Sequence, residues 1–223
     1  MDSERADTSE RIRQIATRLK PLYASAVRKR GLNALDELIF TVLTQNTSDL
    51  NAERAYKALR AAMPTWEAVM NAEQADIAAA IRHGGLSNIK SARIKRVLRQ
   101  IYAERGALDL EWLADLSLDA ARDWLMRLDG VGMKTASVVA SFALNLPAMP
   151  VDTHIHRVAK RLGLIGGRVG AAEAHRLLEA QIEPQARFEF HMLLITHGRQ
   201  LCKARRPLCA ECPLNKICPS AET

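Results

Sequence analysis

Apolar residues recur along this chain at intervals of three and four, the spacing that aligns one face of an α-helix. Ile12, Ile15, Ala16, Leu19 and Leu22 form the first stripe, with Asp7 and Glu10 placed like a capping box at its start. Leu38, Ile39, Val42 and Leu43 predict a buried helix. Ala52, Ala55, Tyr56, Leu59 and Ala62 predict another, ended by Pro64. A short helix carrying Ile77, Ala78 and Ile81 is expected to be capped by Asn71 with Gln74, and it breaks at Gly84-Gly85. The next begins at Ser87 or Asn88 and carries Ala92, Val97, Leu98, Ile101 and Tyr102. Ala121, Trp124, Leu125 and Leu128 lead into Gly130-Val131-Gly132, after which an apolar helix is expected over 134–145, closed by Pro147 and Pro150. Helices after Asp152, around Ala174, Leu177 and Leu178, and through Phe188, Met192 and Ile195 complete the pattern. Alternating period-two stretches are nearly absent. The expected fold class is all-α, with roughly ten helices.

At 223 residues the chain has room for one large domain or two small ones. Its charge-dense start, MDSERADTSERIRQ, lacks the apolar stretch of a signal peptide, and no apolar run approaches a membrane span. A cytoplasmic protein with no membrane partner is expected. The net charge is +7, and its distribution is more telling than its size. Arg82, Lys90, Arg93, Lys95, Arg96 and Arg99 fall in one stretch free of carboxylates. Arg157, Lys160, Arg161 and Arg168 form a second, and Arg199, Lys203, Arg205 and Arg206 a third. Three such blocks predict a surface that follows phosphates, against the alternative of ordinary solvated helix faces.

The only four cysteines, Cys202, Cys209, Cys212 and Cys218, close the sequence as C-x6-C-x2-C-x5-C. Four thiolates in one short segment make a complete site for an iron–sulfur cluster or for zinc, and spacing leaves both open. Two disulfides are the competing arrangement, disfavoured because nothing marks the chain as secreted.

Leu128-Asp129-Gly130-Val131-Gly132-Met133-Lys134-Thr135-Ala136 reads as a tight turn between two helices, whose free amides can meet a backbone phosphate. Lys134 falls in the first turn of the following helix, where the positive helix end and partial burial favour the neutral, nucleophilic amine. As a surface residue it would be a plain phosphate contact. Asp152, within Pro150-Val151-Asp152-Thr153-His154, stands at a helix start. It is either a simple cap or a carboxylate facing Lys134. His154 and His156 lack a carboxylate at metal-ligand spacing and are not expected to bind metal.

These residues resemble the iron–sulfur branch of the helix-hairpin-helix DNA glycosylases, the endonuclease III family, over nearly the whole chain. The resemblance rests on L-T-Q-N-T-S-D (43–49), G-L-S-N-I-K-S-A (85–92), the L-x-G-V-G-x-K-T-A hairpin, V-D-T-H (151–154), H-G-R (197–199) and the cysteine spacing. It implies a bilobal fold, with a six-helix barrel over 35–146 and a second helical domain from 1–34 and 147–223. It implies a [4Fe–4S] cluster on the four cysteines, and Lys134 and Asp152 as catalytic residues facing one another across a DNA-binding cleft. Asn46, Leu86, Gly130, Val131, Gly132, Thr135, His154, Lys203, Arg205 and Arg206 are the implied DNA contacts. The implied partner is duplex DNA with damaged bases or abasic sites, bound by a monomer in the nucleoid. The implied activity is removal of oxidised pyrimidines followed by strand cleavage. Alternatives are a monofunctional glycosylase for alkylated or mispaired bases, a non-catalytic DNA-binding module, and an electron carrier. Two positions depart from the family pattern: Asn46 stands where relatives often carry glutamine, and Met126 where the best-known relatives have glutamate near the base pocket.

Overall fold

The computed structural model describes residues 2–27 and 31–221, with side chains from Thr8 onward. Among the described residues there are eleven α-helices, joined by loops and short 3-10 turns, and no strand. None is long and apolar enough to cross a membrane. The chain divides into two compact units, Gly31–Leu146 and Met1–Arg30 with Pro147–Thr223.

The continuous unit holds α2 (Ala34–Thr44), α3 (Asp49–Ala62), α4 (Trp66–Asn71), α5 (Gln74–Ala80), α6 (Ser87–Arg105), α7 (Leu118–Met126) and α8 (Met133–Phe142). Helix α2 is apolar nearly all round and buried along almost its whole length, so it forms the axis of this unit. It packs against α3, α6 and α8. The side chains of Asn33, Ser48, Thr65 and Ser117 accept from backbone amides three residues on and start α2, α3, α4 and α7. Leu38, Ile39, Leu43, Leu59, Ile94, Leu98 and Val139 form the centre of its core.

The discontinuous unit holds α1 (Asp2–Tyr23), α9 (Thr153–Arg161), α10 (Ala171–Gln181) and α11 (Arg187–Gln200). Helix α11 packs against α1 and α9. Ile15 and Leu19 of α1 share a core with Ile155, Val158, Leu178, Phe190, Leu193 and Leu214.

Several sequence expectations are corrected. Helix α1 begins at Asp2, so Asp7 and Glu10 lie inside it and do not start it; the Asp7 side chain is outside the described set. Leu22 is exposed, because the buried stripe of α1 runs through Ile12, Ile15, Leu19 and Tyr23 and Leu22 falls beside it. Asn71 closes the unforeseen six-residue α4, and Glu73, not Asn71, precedes α5. Helix α8 ends at Phe142, and Asn145 beyond it adopts a left-handed backbone.

Candidate functional site

Between α7 and α8 the chain turns at Gly130, whose φ of +71° is open to glycine at little cost. A side chain there would overlap the guanidinium of Arg93 from α6. Gly132 precedes α8 with extended backbone and supplies no side-chain cap, so the first amides of α8 have no capping side chain at the helix entry. Lys134 is the second residue of α8 and half-buried, Thr135 is buried, and Val131 is tucked into the core. The turn therefore offers the amide donors and positive helix end that favour an anion, with an amine one residue inside.

Two further loops of this unit carry exposed residues with left-handed backbone. Asn46, φ 54°, lies between α2 and α3, and Leu86, φ 49°, immediately precedes α6. A leucine held there costs about 1–2 kcal/mol of backbone strain, so its surroundings must fix it. Leu86 and Ile89 are both about half exposed, forming an apolar projection at the start of α6.

Of the basic stretch preceding and along α6, Arg82, Arg96 and Arg99 are exposed, while Lys90, Arg93 and Lys95 bond to groups of the protein itself. Lys90 is only 2% exposed, and its ammonium donates to the carbonyls of Leu43 and Gly84, each at 2.7 Å. Arg93 donates to Gln45 Oε1 at 2.6 Å. Lys95 donates to the Ala72 carbonyl. Arg96 grips Asp129 Oδ2 through Nε at 3.0 Å and Nη2 at 2.7 Å. Burial lowers the pKa of Lys90, since desolvation disfavours its charge. In the second block Arg168 is exposed, and two arginines bond to backbone carbonyls. Arg157 donates to the carbonyls of Gly198 at 2.8 Å and Cys202 at 3.0 Å, and Arg161 to those of Lys203 at 2.7 Å and Ala204 at 3.2 Å. Of the third block, Lys203, Arg205 and Arg206 are exposed, with Arg206 left-handed at φ 52°.

In the other unit, Asp152 caps α9, accepting from the Ile155 amide at 2.8 Å. His154 is half-buried, with Nδ1 3.3 Å from Arg157 Nη2. His156 Nε2 lies 2.9 Å from the Val169 carbonyl. Lys134 and Asp152 thus belong to different units, as do Leu86 and His154.

Cys202, Cys209, Cys212 and Cys218 line one pocket with Leu162, Leu201, Leu208 and Leu214. Arg161 Nη1 lies 3.4 Å from Cys202 Sγ, and His197 Nε2 lies 3.7 Å from Cys212 Sγ. His197 is buried, its pKa pushed down to about 4 by desolvation, and its Nδ1 lies 3.4 Å from the Tyr23 hydroxyl. Burial pushes the Cys212 and Cys218 thiols up, so a metal binding them would displace protons. Among the described residues no three His, Cys, Asp or Glu side chains converge at the spacing of a single ion. Four soft donors around an apolar pocket, with nitrogens of Arg161 and His197 near two of the sulfurs, fit an iron–sulfur cluster.

Sequence reading missed Lys90, Arg93, Tyr23 and His197 as organisers of these sites. Lys90 lay within a recognised motif, but the direction of its side chain carried no sequence signal.

Residues 39–184 match the HhH-GPD superfamily base excision DNA repair protein, and residues 202–218 the iron–sulfur binding domain of endonuclease III. The cofactor of the chain is a [4Fe–4S] cluster. A protein of Arabidopsis thaliana bearing the name of a DNA glycosylase is 37% identical over 85% of this chain, which spans 62% of that relative. Endonuclease III of Sulfolobus acidocaldarius is 31% identical over 89% of this chain and 87% of its own. A trapped endonuclease III–DNA covalent intermediate superposes with a TM-score of 0.82 at 29% identity, covering 96% of each chain. With its hairpin, its cysteine pocket and these relatives together, the chain belongs to the HhH-GPD superfamily of base excision DNA repair proteins, in the endonuclease III branch.

Proposed function

We propose that this chain, a repair enzyme of endonuclease III type, removes oxidised pyrimidines from duplex DNA and then cuts the strand, with Lys134 as nucleophile. The observation that carries the reading is Lys134 in the first turn of α8, entered through a glycine turn with no side-chain cap. A phosphate held by those amides brings the adjoining sugar to the amine.

The damaged nucleotide must first leave the stack, and Leu86, Asn46 and His154 fill the space it vacates. The neutral Lys134 amine adds to C1′, and the base leaves with the electron pair of the glycosidic bond. Ring opening yields an imine between Lys134 and the sugar. Its positive charge acidifies the C2′ hydrogen, and loss of that proton expels the 3′ phosphate by β-elimination. Asp152 stabilises the cationic sugar and accepts protons, while one of its oxygens stays on the Ile155 amide. Cys202, Cys209, Cys212 and Cys218 would hold the [4Fe–4S] cluster. Its part is to shape the loop presenting Lys203, Arg205 and Arg206 to phosphates, with no electron transfer in the reaction.

Borohydride reduction during turnover on a thymine-glycol duplex is the test. A covalent protein–DNA adduct lost in Lys134→Gln is the expected result. Base release without an adduct would assign the attack to water and the chain to the monofunctional glycosylases. Neither base release nor adduct would leave a DNA binder.

A further inference from the structure

Helix α6 joins the three DNA-facing loops of its unit through two cations on one face. Lys90 and Arg93 lie three residues apart and therefore project from the same side of the helix. Lys90 is buried, and its ammonium bridges the last turn of α2, at the Leu43 carbonyl, to the Gly84 carbonyl two residues before Leu86. The backbone amide of Lys90 also donates to the Leu86 carbonyl at 2.9 Å. One residue thus holds the strained leucine from both sides of its turn. Arg93 reaches Gln45, the neighbour of Asn46, and fills the space over Gly130 in the hairpin. Asn46, Leu86 and the hairpin are thereby tied to one rigid helix.

We propose that Lys90 and Arg93 are positioning residues for nucleotide eversion: they fix Leu86 and Asn46 relative to the hairpin so that the gap is filled as the lesion swings out. The inference rests on the catalytic reading above. Neither residue touches the reacting atoms. Their influence falls on the step in which a paired base is unstacked, and displacement of a wedge by even a fraction of its width weakens that step steeply.

The test compares two duplexes under single-turnover conditions, one with a base-paired thymine glycol and one with a preformed abasic site that has no base to unstack. A fluorescent base analogue beside the lesion reports opening independently of chemistry. Arg93→Met and Lys90→Met are expected to slow base release from the paired lesion by about tenfold or more, and abasic-site cleavage by less than about threefold. The opening signal should fall in step with base release. Equal losses on both duplexes, or no loss in a folded variant, would overturn the proposal. Circular dichroism and the visible absorbance of the cluster report folding. Should Lys90→Met fail to fold, Arg93→Met, at a half-buried position, decides alone. If the unaltered chain processes neither duplex, the catalytic reading falls. The opening signal then decides: unchanged opening in the variants overturns the positioning role, and impaired opening supports it.

Discussion

Arg93 occupies the volume that a Cβ at position 130 would need, so a side chain there must push the end of this arginine aside. Gly130 has a second constraint, its positive φ. Gly130→Ala is therefore expected to destabilise the protein by about 1–3 kcal/mol through overlap and backbone strain. Adding Arg93→Ala removes the overlap and leaves the strain. Thermal unfolding of the single and double variants should show partial recovery, and strictly additive losses would refute the contact.

Asp152 caps α9 and, on the proposed mechanism, also serves the reaction, and two substitutions divide these tasks. Asparagine caps helices as well as aspartate does, so Asp152→Asn should leave stability within about 0.5 kcal/mol. Its turnover should fall by about a hundredfold, because the carboxylate charge is gone. Asp152→Ala should lose a similar share of turnover and about 1 kcal/mol of stability besides. Chemical denaturation alongside single-turnover rates distinguishes cap from catalyst.

The internal hydrogen bonds of the basic stretches divide the cations into two classes. Arg205→Ala or Arg206→Ala should weaken DNA binding and reduce the slope of log K against log salt by about one unit for each lost phosphate contact. Lys95→Ala removes a cation of similar charge that donates to the Ala72 carbonyl within its own unit. Its slope should stay unchanged. A loss of slope in Lys95→Ala equal to that in Arg205→Ala would restore the charge-block picture.

Arg161 bonds Cys202 Sγ and the carbonyls of Lys203 and Ala204, fastening the cysteine loop to α9. Arg161→Ala should speed loss of iron to a chelator by about tenfold, since outer-shell partners typically contribute that much to metal retention. Visible absorbance followed over time measures it. Arg161→Lys, which lacks the planar fork, should fall short of full rescue.

The repeating apolar positions made most helices readable, because burial of one face leaves a period of three to four in the residues themselves. Helix α4 was unreadable for that reason: six residues are too few to display a period. The basic block around α6 was half legible, because a tally of charges cannot show where a long side chain turns. Lys90 points inward to two carbonyls while exposed Arg99, nine positions along, has the same formal charge. The pairing of Tyr23 with His197 spans 174 positions and has no local signature. Hairpin, lysine and cysteines were legible because each depends on residue type at short spacing. The cap formed by Asp152 was legible from its place at a helix start, whereas its proposed part in the reaction leaves no separate mark, since a cap and a catalytic carboxylate look identical in sequence.

The division of one compact unit between the two ends of the chain has a kinetic consequence during synthesis. Residues 31–146 can collapse as soon as they emerge, whereas Ile15 and Leu19 of α1 find their apolar partners only after Phe190 and Leu193 of α11 have been made. At roughly 5–20 residues per second, that helix waits on the order of ten to thirty seconds on the ribosome with its greasy face uncovered. A nascent chain of this kind is a natural client for a holdase, and slowing translation beyond residue 146 should raise the aggregated fraction without altering the finished protein.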